Sequence, residues 1–153
     1  MKTILLIENK PDILENLTEA FEMEGYKILA ANDGIKGVEL AREFVPDLII
    51  SAILIGNMSG YEVLRLLLET RKTSMIPFIF STTQAAKSDK MLAFKLGAND
   101  YIVKPYELED MYAMAKRWIT SGRARVINHV SAYPRIVYVG VLNPSLVSAA
   151  AYK

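Results

Sequence analysis

The sequence predicts an α/β fold in which a doubly wound, five-stranded parallel sheet is covered by helices on both faces. Two observations predict it. Short apolar runs alternate with stretches of helical period, five times over and in register with Gly, Pro and Asn punctuation. The runs are apolar throughout, as strands buried on both faces are, and a strand–helix–strand repeat with right-handed crossovers closes most simply into one parallel sheet. Composition agrees: 52% of the 153 residues are hydrophobic and 23% charged, which excludes a disordered chain.

In chain order, Ile4–Ile7 reads as the first strand. Pro11 then suits the first turn of a helix whose positive end is complemented by Asp12 and Glu15. Ile13, Leu14, Leu17, Ala20 and Phe21 give that helix one apolar stripe, and Gly25 ends it. Tyr26–Ala30 is a second strand, and Asn32-Asp33-Gly34 turns into a helix lined by Val38, Leu40, Ala41 and Phe44 that stops before Pro46. Leu48–Ile50 is the third strand, followed by a loop of Gly56, Asn57, Ser59 and Gly60 and a third helix from Tyr61 to Thr70. Pro77 opens a fourth strand through Ser81. The fourth helix is expected over Lys87–Leu96, with Met91, Leu92 and Phe94 to Leu96 as its buried face and Gly97 as its stop. Tyr101–Val103 is a fifth strand, and a fifth helix is expected from about Glu107 to Ile119. The whole is flavodoxin-like, and in such sheets ligands sit beyond the carboxyl ends of the strands.

Charge divides the chain. Residues 1–110 hold 12 Lys/Arg against 17 Asp/Glu, whereas residues 111–153 hold six Lys/Arg and no acid, for a net of +1. This suggests a basic tail on an acidic domain. Residues 1–120 are expected to form the domain, and 121–153 a C-terminal extension, basic then apolar, too short to be a second one. Its one strand-like run is Arg135–Leu142. The absence of cysteine excludes disulfides and thiolate metal sites and fits a reducing compartment. Ile4–Ile7 is too short for the core of a signal peptide, and the apolar stretch Ile136–Tyr152 is broken by Asn143, Pro144, Ser145 and Ser148, so no membrane span is expected and the protein is expected in the cytoplasm.

The strand ends carry the chemistry. Read together, ILLIENKPD, PDLIISAILIGNMSGYE, IPFIFSTT and GANDYIVKPY resemble the receiver domain of two-component response regulators, the CheY-like domain, over residues 2–120. The resemblance implies a magnesium-binding acidic pair after strand 1, a phospho-acceptor aspartate at the end of strand 3, a hydroxyl after strand 4 and a lysine after strand 5. Those positions fall on Glu8 and Asn9, on Ala52, on Thr82 and on Lys104. The aromatic switch position falls on Tyr101, and Lys104-Pro105 resembles the family's cis peptide.

The departures lie at the chemistry. Ala52 has no atom that can attack phosphorus. Asn9 replaces a carboxylate, so Glu8 and Lys104 sum to zero charge and Mg²⁺, a hard cation held by carboxylates, is expected to bind weakly or not at all; no other cofactor is expected. Glu8 is read as the ion-pair partner of Lys104 in preference to a residual metal ligand, because a buried unpaired lysine is costly. Thr82 is equally open to an anion-binding and a structural role. Ser51 should point away from position 52 and so is no substitute acceptor. His129 stands alone, and the glycines at 34–37 and 56–60 match no phosphate-loop spacing.

The expectation is a degenerate receiver, a pseudo-receiver acting in phosphorelay signal transduction by contact with a protein partner (a histidine kinase or a downstream effector) and not an enzyme. By resemblance its working surface is the face of the fourth helix, fifth strand and fifth helix, which includes Met91, Phe94, Tyr101, Tyr106, Met111, Tyr112, Met114 and Trp118 and could also carry a homodimer. Two alternatives stand beside it. One is a phosphorelay response regulator disabled by substitution of its acceptor. The other is a nucleic-acid-binding regulator using Arg123, Arg125 and Arg135, which lack a recognition element around them.

Overall fold

The computed structural model describes residues 1–132, with side chains through Ser121. The strands are β1 (Thr3–Ile7), β2 (Lys27–Ala31), β3 (Leu48–Ser51), β4 (Phe78–Thr82) and β5 (Asp100–Val103). The helices are α1 (Pro11–Met23), α2 (Gly34–Phe44), α3 (Gly60–Leu68), α4 (Arg71–Ser74), α5 (Lys87–Lys95) and α6 (Leu108–Ala132). All strands pair in parallel in the order β2-β1-β3-β4-β5. The chain therefore reverses direction across the sheet between β1 and β3, which puts a crevice at their carboxyl ends.

Alternation along the strands fills both faces. Leu5, Ile7, Ile49, Phe78 and Phe80 point into one core with α2 and α3, while Ile4, Leu6, Leu48, Ile50 and Ile79 point into the other with α1 and α6. Local chemistry sets the helix starts. Pro11 is the first residue of α1, Asp33 accepts from the Lys36 N–H at 2.8 Å at the head of α2, and Ser59 and Glu62 form a reciprocal capping box at the head of α3. Val45 ends α2 at φ 46°, a strained conformation for a β-branched residue, directly before Pro46.

Gly60, the first residue of α3, donates its N–H to the Ile53 carbonyl at 2.7 Å. A Cβ at this position would run into the Ala52 carbonyl oxygen and the Phe80 ring. Backbone and a packed aromatic cannot both yield, so Gly60→Ala is expected to lower stability by roughly 2–3 kcal/mol, read as a shift of the urea midpoint at unchanged slope.

Three expectations are corrected. The fourth helix (α5) buries Ala93 and half-buries Phe94, while Met91, Leu92 and Leu96 are 62%, 44% and 37% exposed; its expected core face lies outside. The fifth helix (α6) does not stop near Ile119 but continues through Gly122 to Ala132, across the expected domain limit. A four-residue helix, α4, stands between the third helix and the fourth strand, where no element was expected, held by the Thr73 hydroxyl donating to the Leu67 carbonyl at 2.6 Å. The run Arg135–Leu142 lies outside the described residues, and among the described residues no helix is long and apolar enough to cross a membrane.

Candidate functional site

The carboxyl edge of the sheet assembles the residues named from the sequence. Register places Ile7 beside Ser51 and Ser51 beside Phe80, so Glu8, Ala52 and Ser81 are neighbours one step beyond these pairs. Thr82 pairs with Val103, which brings Lys104 to the same edge from β5. Backbone bonds continue the ladder: Ala52 N–H donates to Ile7 at 2.9 Å, and Lys104 N–H donates to Thr82 at 2.8 Å.

Lys104 crosses the ends of β4 and β3 to reach β1. Its Nζ donates to Glu8 Oε1 at 2.7 Å, with side-chain exposures of 17% and 6%. The second carboxylate oxygen, Oε2, accepts from the Lys10 backbone N–H at 3.2 Å. Both oxygens of Glu8 are thus engaged within the protein, one by a charge and one by the turn that leads into α1. Asn9 is exposed. Ala52 is buried and packs with the core that includes Ile53, Val63 and Phe80. Ser51, also buried, donates its hydroxyl to the Ala52 carbonyl at 2.7 Å and so folds back on the strand end.

Thr82 is buried, and its Oγ1 accepts from the Gln84 N–H at 3.2 Å, which turns the chain toward α5. From the other side, the Tyr101 hydroxyl donates to the Gln84 carbonyl at 2.8 Å. Tyr101 is only 4% exposed and stands edge-on to Phe80, which also contacts Tyr61. It is therefore a core residue whose ring is not offered to a partner, and Met111 and Trp118 are buried likewise. Tyr106, next to the cis Lys104-Pro105 peptide, is half-buried against the core under α1 and α6. Burial raises its hydroxyl pKa; the Ser81 hydroxyl opposes that rise and Glu8 adds to it.

Burial, with smaller contributions from Tyr61 and Asp89, pushes the Tyr101 pKa up to about 12. The folded state holds this proton more tightly than the unfolded chain. Its contribution to stability is therefore full below the ordinary tyrosine pKa and drains away as pH rises toward 12. Tyr101→Phe is expected to lose about 1 kcal/mol with the bond to Gln84. It should also remove tyrosinate absorbance that appears toward pH 12 from an alkaline ultraviolet titration.

Sequence reasoning did not find Gln84, whose main chain ties Thr82 to Tyr101, or the Lys10 amide that holds Glu8. Backbone partners leave no residue-type signature. Nor did it find Asp100, which accepts from Arg117 at 2.5 Å and from the Trp118 indole at 2.7 Å and so seats α6 on β5. Among the described residues no group of three or more His, Cys, Asp or Glu is placed to hold a metal ion.

Known proteins place this arrangement. The sequence model of the response regulator receiver domain matches residues 4–116. Protein PilH of Pseudomonas aeruginosa is 34% identical over 111 residues, which cover 72% of this chain and 92% of PilH. The DNA-binding dual master transcriptional regulator RpaA of Synechocystis is 35% identical over 116 residues, 76% of this chain but only 48% of RpaA, so the chain spans about half the length of that relative. Among solved structures, the receiver domain of a sensor histidine kinase from Pseudomonas aeruginosa, determined with a magnesium ion coordinated in its active site cleft, superposes with a TM-score of 0.71 at 28% identity, covering 78% of this chain and 98% of that one. The fold is thus shared with solved receiver domains, and the chain belongs to the response regulator receiver domain family of two-component signalling.

Proposed function

We propose that this receiver domain signals by protein–protein contact without being phosphorylated on aspartate, as a pseudo-receiver. The observation that carries the reading is the closed Glu8–Lys104 pair beside Ala52: the acceptor position offers a methyl group, and the neighbouring acid is already neutralised. Phosphoryl transfer needs a nucleophile in line with phosphorus and cations to spread the developing charge. Ala52 supplies no nucleophile, and Lys104 is committed to Glu8.

The residues do not fit a magnesium ion either. Glu8 has both oxygens occupied, Asn9 is a neutral, exposed side chain, and Ala52 has no donor atom. The related kinase receiver holds magnesium in its cleft; in this chain the Glu8 carboxylate is paired with Lys104. No phosphorylation step is assigned to this chain. Its partners, by the family's chemistry, are a histidine kinase or a downstream effector, met through the surface of α5, β5 and α6.

The test is intact mass spectrometry after incubation with acetyl phosphate and Mg²⁺. The expected spectrum is unchanged. A mass gain of one phosphoryl group that hydroxylamine removes would overturn the reading, because it would require a carboxylate acceptor that position 52 lacks.

A further inference from the structure

We propose that the amino-terminal edge of the sheet docks peripherally on an anionic lipid bilayer, through lysine and arginine side chains with apolar anchors between them. The inference goes beyond the signalling role above and does not depend on it.

Topology gathers this surface. All five strands run parallel and the helices return the chain between them, so strand starts and helix ends share one edge. Five strands make that edge about 20 Å wide. It carries Lys27 at the start of β2, Arg42 in the last turn of α2, Arg71 and Lys72 in α4, Lys95 in the last turn of α5, and Lys116 on α6. All six are exposed, and none forms an ion pair among the described residues. Against them stand the exposed carboxylates of Glu22, Glu24 and Glu43, since Asp47, Glu69 and Asp100 are paired with Lys2, Arg65 and Arg117.

The carboxyl edge has the opposite balance. It exposes Asp12, Glu15, Glu62, Glu107, Glu109 and Asp110 against Lys10, Lys36, Lys87 and Lys90. A domain whose charge divides along the strand axis is oriented by an anionic surface, with its positive edge inward. Helix ends account for only part of this division. Arg42 and Lys95 sit where the carbonyl end of a helix favours a cation, but Lys27 begins a strand and Arg71 and Lys72 belong to a single turn.

Apolar groups lie among these cations. Met23, Phe44 and Leu96, at the ends of α1, α2 and α5, are 87%, 48% and 37% exposed. Cations that meet lipid phosphates, with apolar side chains that enter the boundary between headgroups and acyl chains, are the parts of a peripheral membrane site. α6 reaches the same edge, where Arg117 and Trp118 donate to Asp100, the first residue of β5. The sequence after Ser121 adds Arg123, Arg125, Arg135 and Lys153, no acid, and the apolar stretch Ile136–Tyr152. Two weak attachments to one bilayer reinforce each other where one alone gives only marginal binding.

Other occupants fit less well. A nucleic acid would leave Met23, Phe44 and Leu96 against phosphate, and the cations are spread over several elements and not along one that enters a groove. A second copy docked by the same edge would meet like charge.

The test is co-sedimentation of the full chain with vesicles of phosphatidylcholine alone or containing about 30% phosphatidylglycerol. The expected result is binding to the anionic vesicles only, weakened by salt. Binding should be about tenfold weaker for Arg71→Glu/Lys72→Glu and for Met23→Ser/Phe44→Ser, and unchanged for Lys87→Glu/Lys90→Glu at the carboxyl edge. All six positions are exposed, and thermal melts check that each variant folds. Arg71→Gln/Lys72→Gln is the milder charge variant and should lose binding in the same direction. Five outcomes would each overturn the proposal: no binding to anionic vesicles at low salt, equal binding to phosphatidylcholine, equal loss in the carboxyl-edge variant, tighter binding of a DNA duplex, or self-association in place of vesicle binding. Loss confined to Arg123→Glu/Arg125→Glu, with the amino-edge variants binding as the parent does, would overturn it as well, because the extension alone would then hold the bilayer.

Discussion

The Lys104→Met variant is expected to unfold roughly 3 kcal/mol more readily than the parent chain in urea. The lysine and its partner sit 17% and 6% exposed, so removal of the ammonium leaves the Glu8 carboxylate inside the protein with only the Lys10 amide to stabilise it. An exposed pair such as Arg65–Glu69, with side chains 63% and 53% exposed, would cost well under 1 kcal/mol on the same change. Burial decides between the two. The double variant Glu8→Leu/Lys104→Met supplies the control: with both charges gone, desolvation is avoided, and stability should return to within about 1 kcal/mol of the parent or exceed it. Equal losses in the single and double variants would mean that the lysine stem, and not the charge pair, holds the edge of the sheet together.

Ala52→Asp combined with Asn9→Asp is expected to convert a chain that gains no mass from acetyl phosphate into one that gains a phosphoryl group in the presence of Mg²⁺. Three carboxylates would then face one lysine, a balance that favours a hard divalent cation. Without metal, the new aspartate stands in a nearly dry position beside Glu8, so the double variant should melt below the parent. Addition of Mg²⁺ should then raise its melting temperature in proportion to the logarithm of concentration above the dissociation constant, while the parent does not respond. A double variant that melts normally yet ignores both Mg²⁺ and phosphodonor would show that Ser51, Gly56 and Asn57 have shaped the edge beyond what two substitutions restore.

The strands were legible because each is an apolar run bounded by Gly, Pro or Asn, and parallel pairing left them little choice of register. The helix ends were less so. The fifth helix was expected to end near Ile119, ahead of Gly122, but a glycine inside a helix costs only about 1 kcal/mol, less than the packing of Met111, Ala115 and Trp118 contributes to α6 as a whole. On α5, a count of apolar residues pointed to a buried face, yet only the small Ala93 fits under the helix; lysines at i and i+8 around Met91 were the overlooked sign that this row faces water. Within the site, the Glu8–Lys104 pairing followed from the resemblance, which put both residues in one pocket, and from the cost of leaving a buried lysine unpaired. The capture of Gln84 by Thr82 and Tyr101 did not follow, because a main-chain acceptor can belong to any residue.

The seating of α6 on Asp100 has an optical consequence. Trp118 is the sole tryptophan of the chain, and its indole is 6% exposed, hydrogen-bonded to Asp100 and flanked by the Arg117 guanidinium at 5.8 Å. Its emission therefore originates from the joint between β5 and α6. Anything that lifts or tilts α6 must disturb that environment, so the protein carries its own label-free reporter of how this helix sits on the sheet.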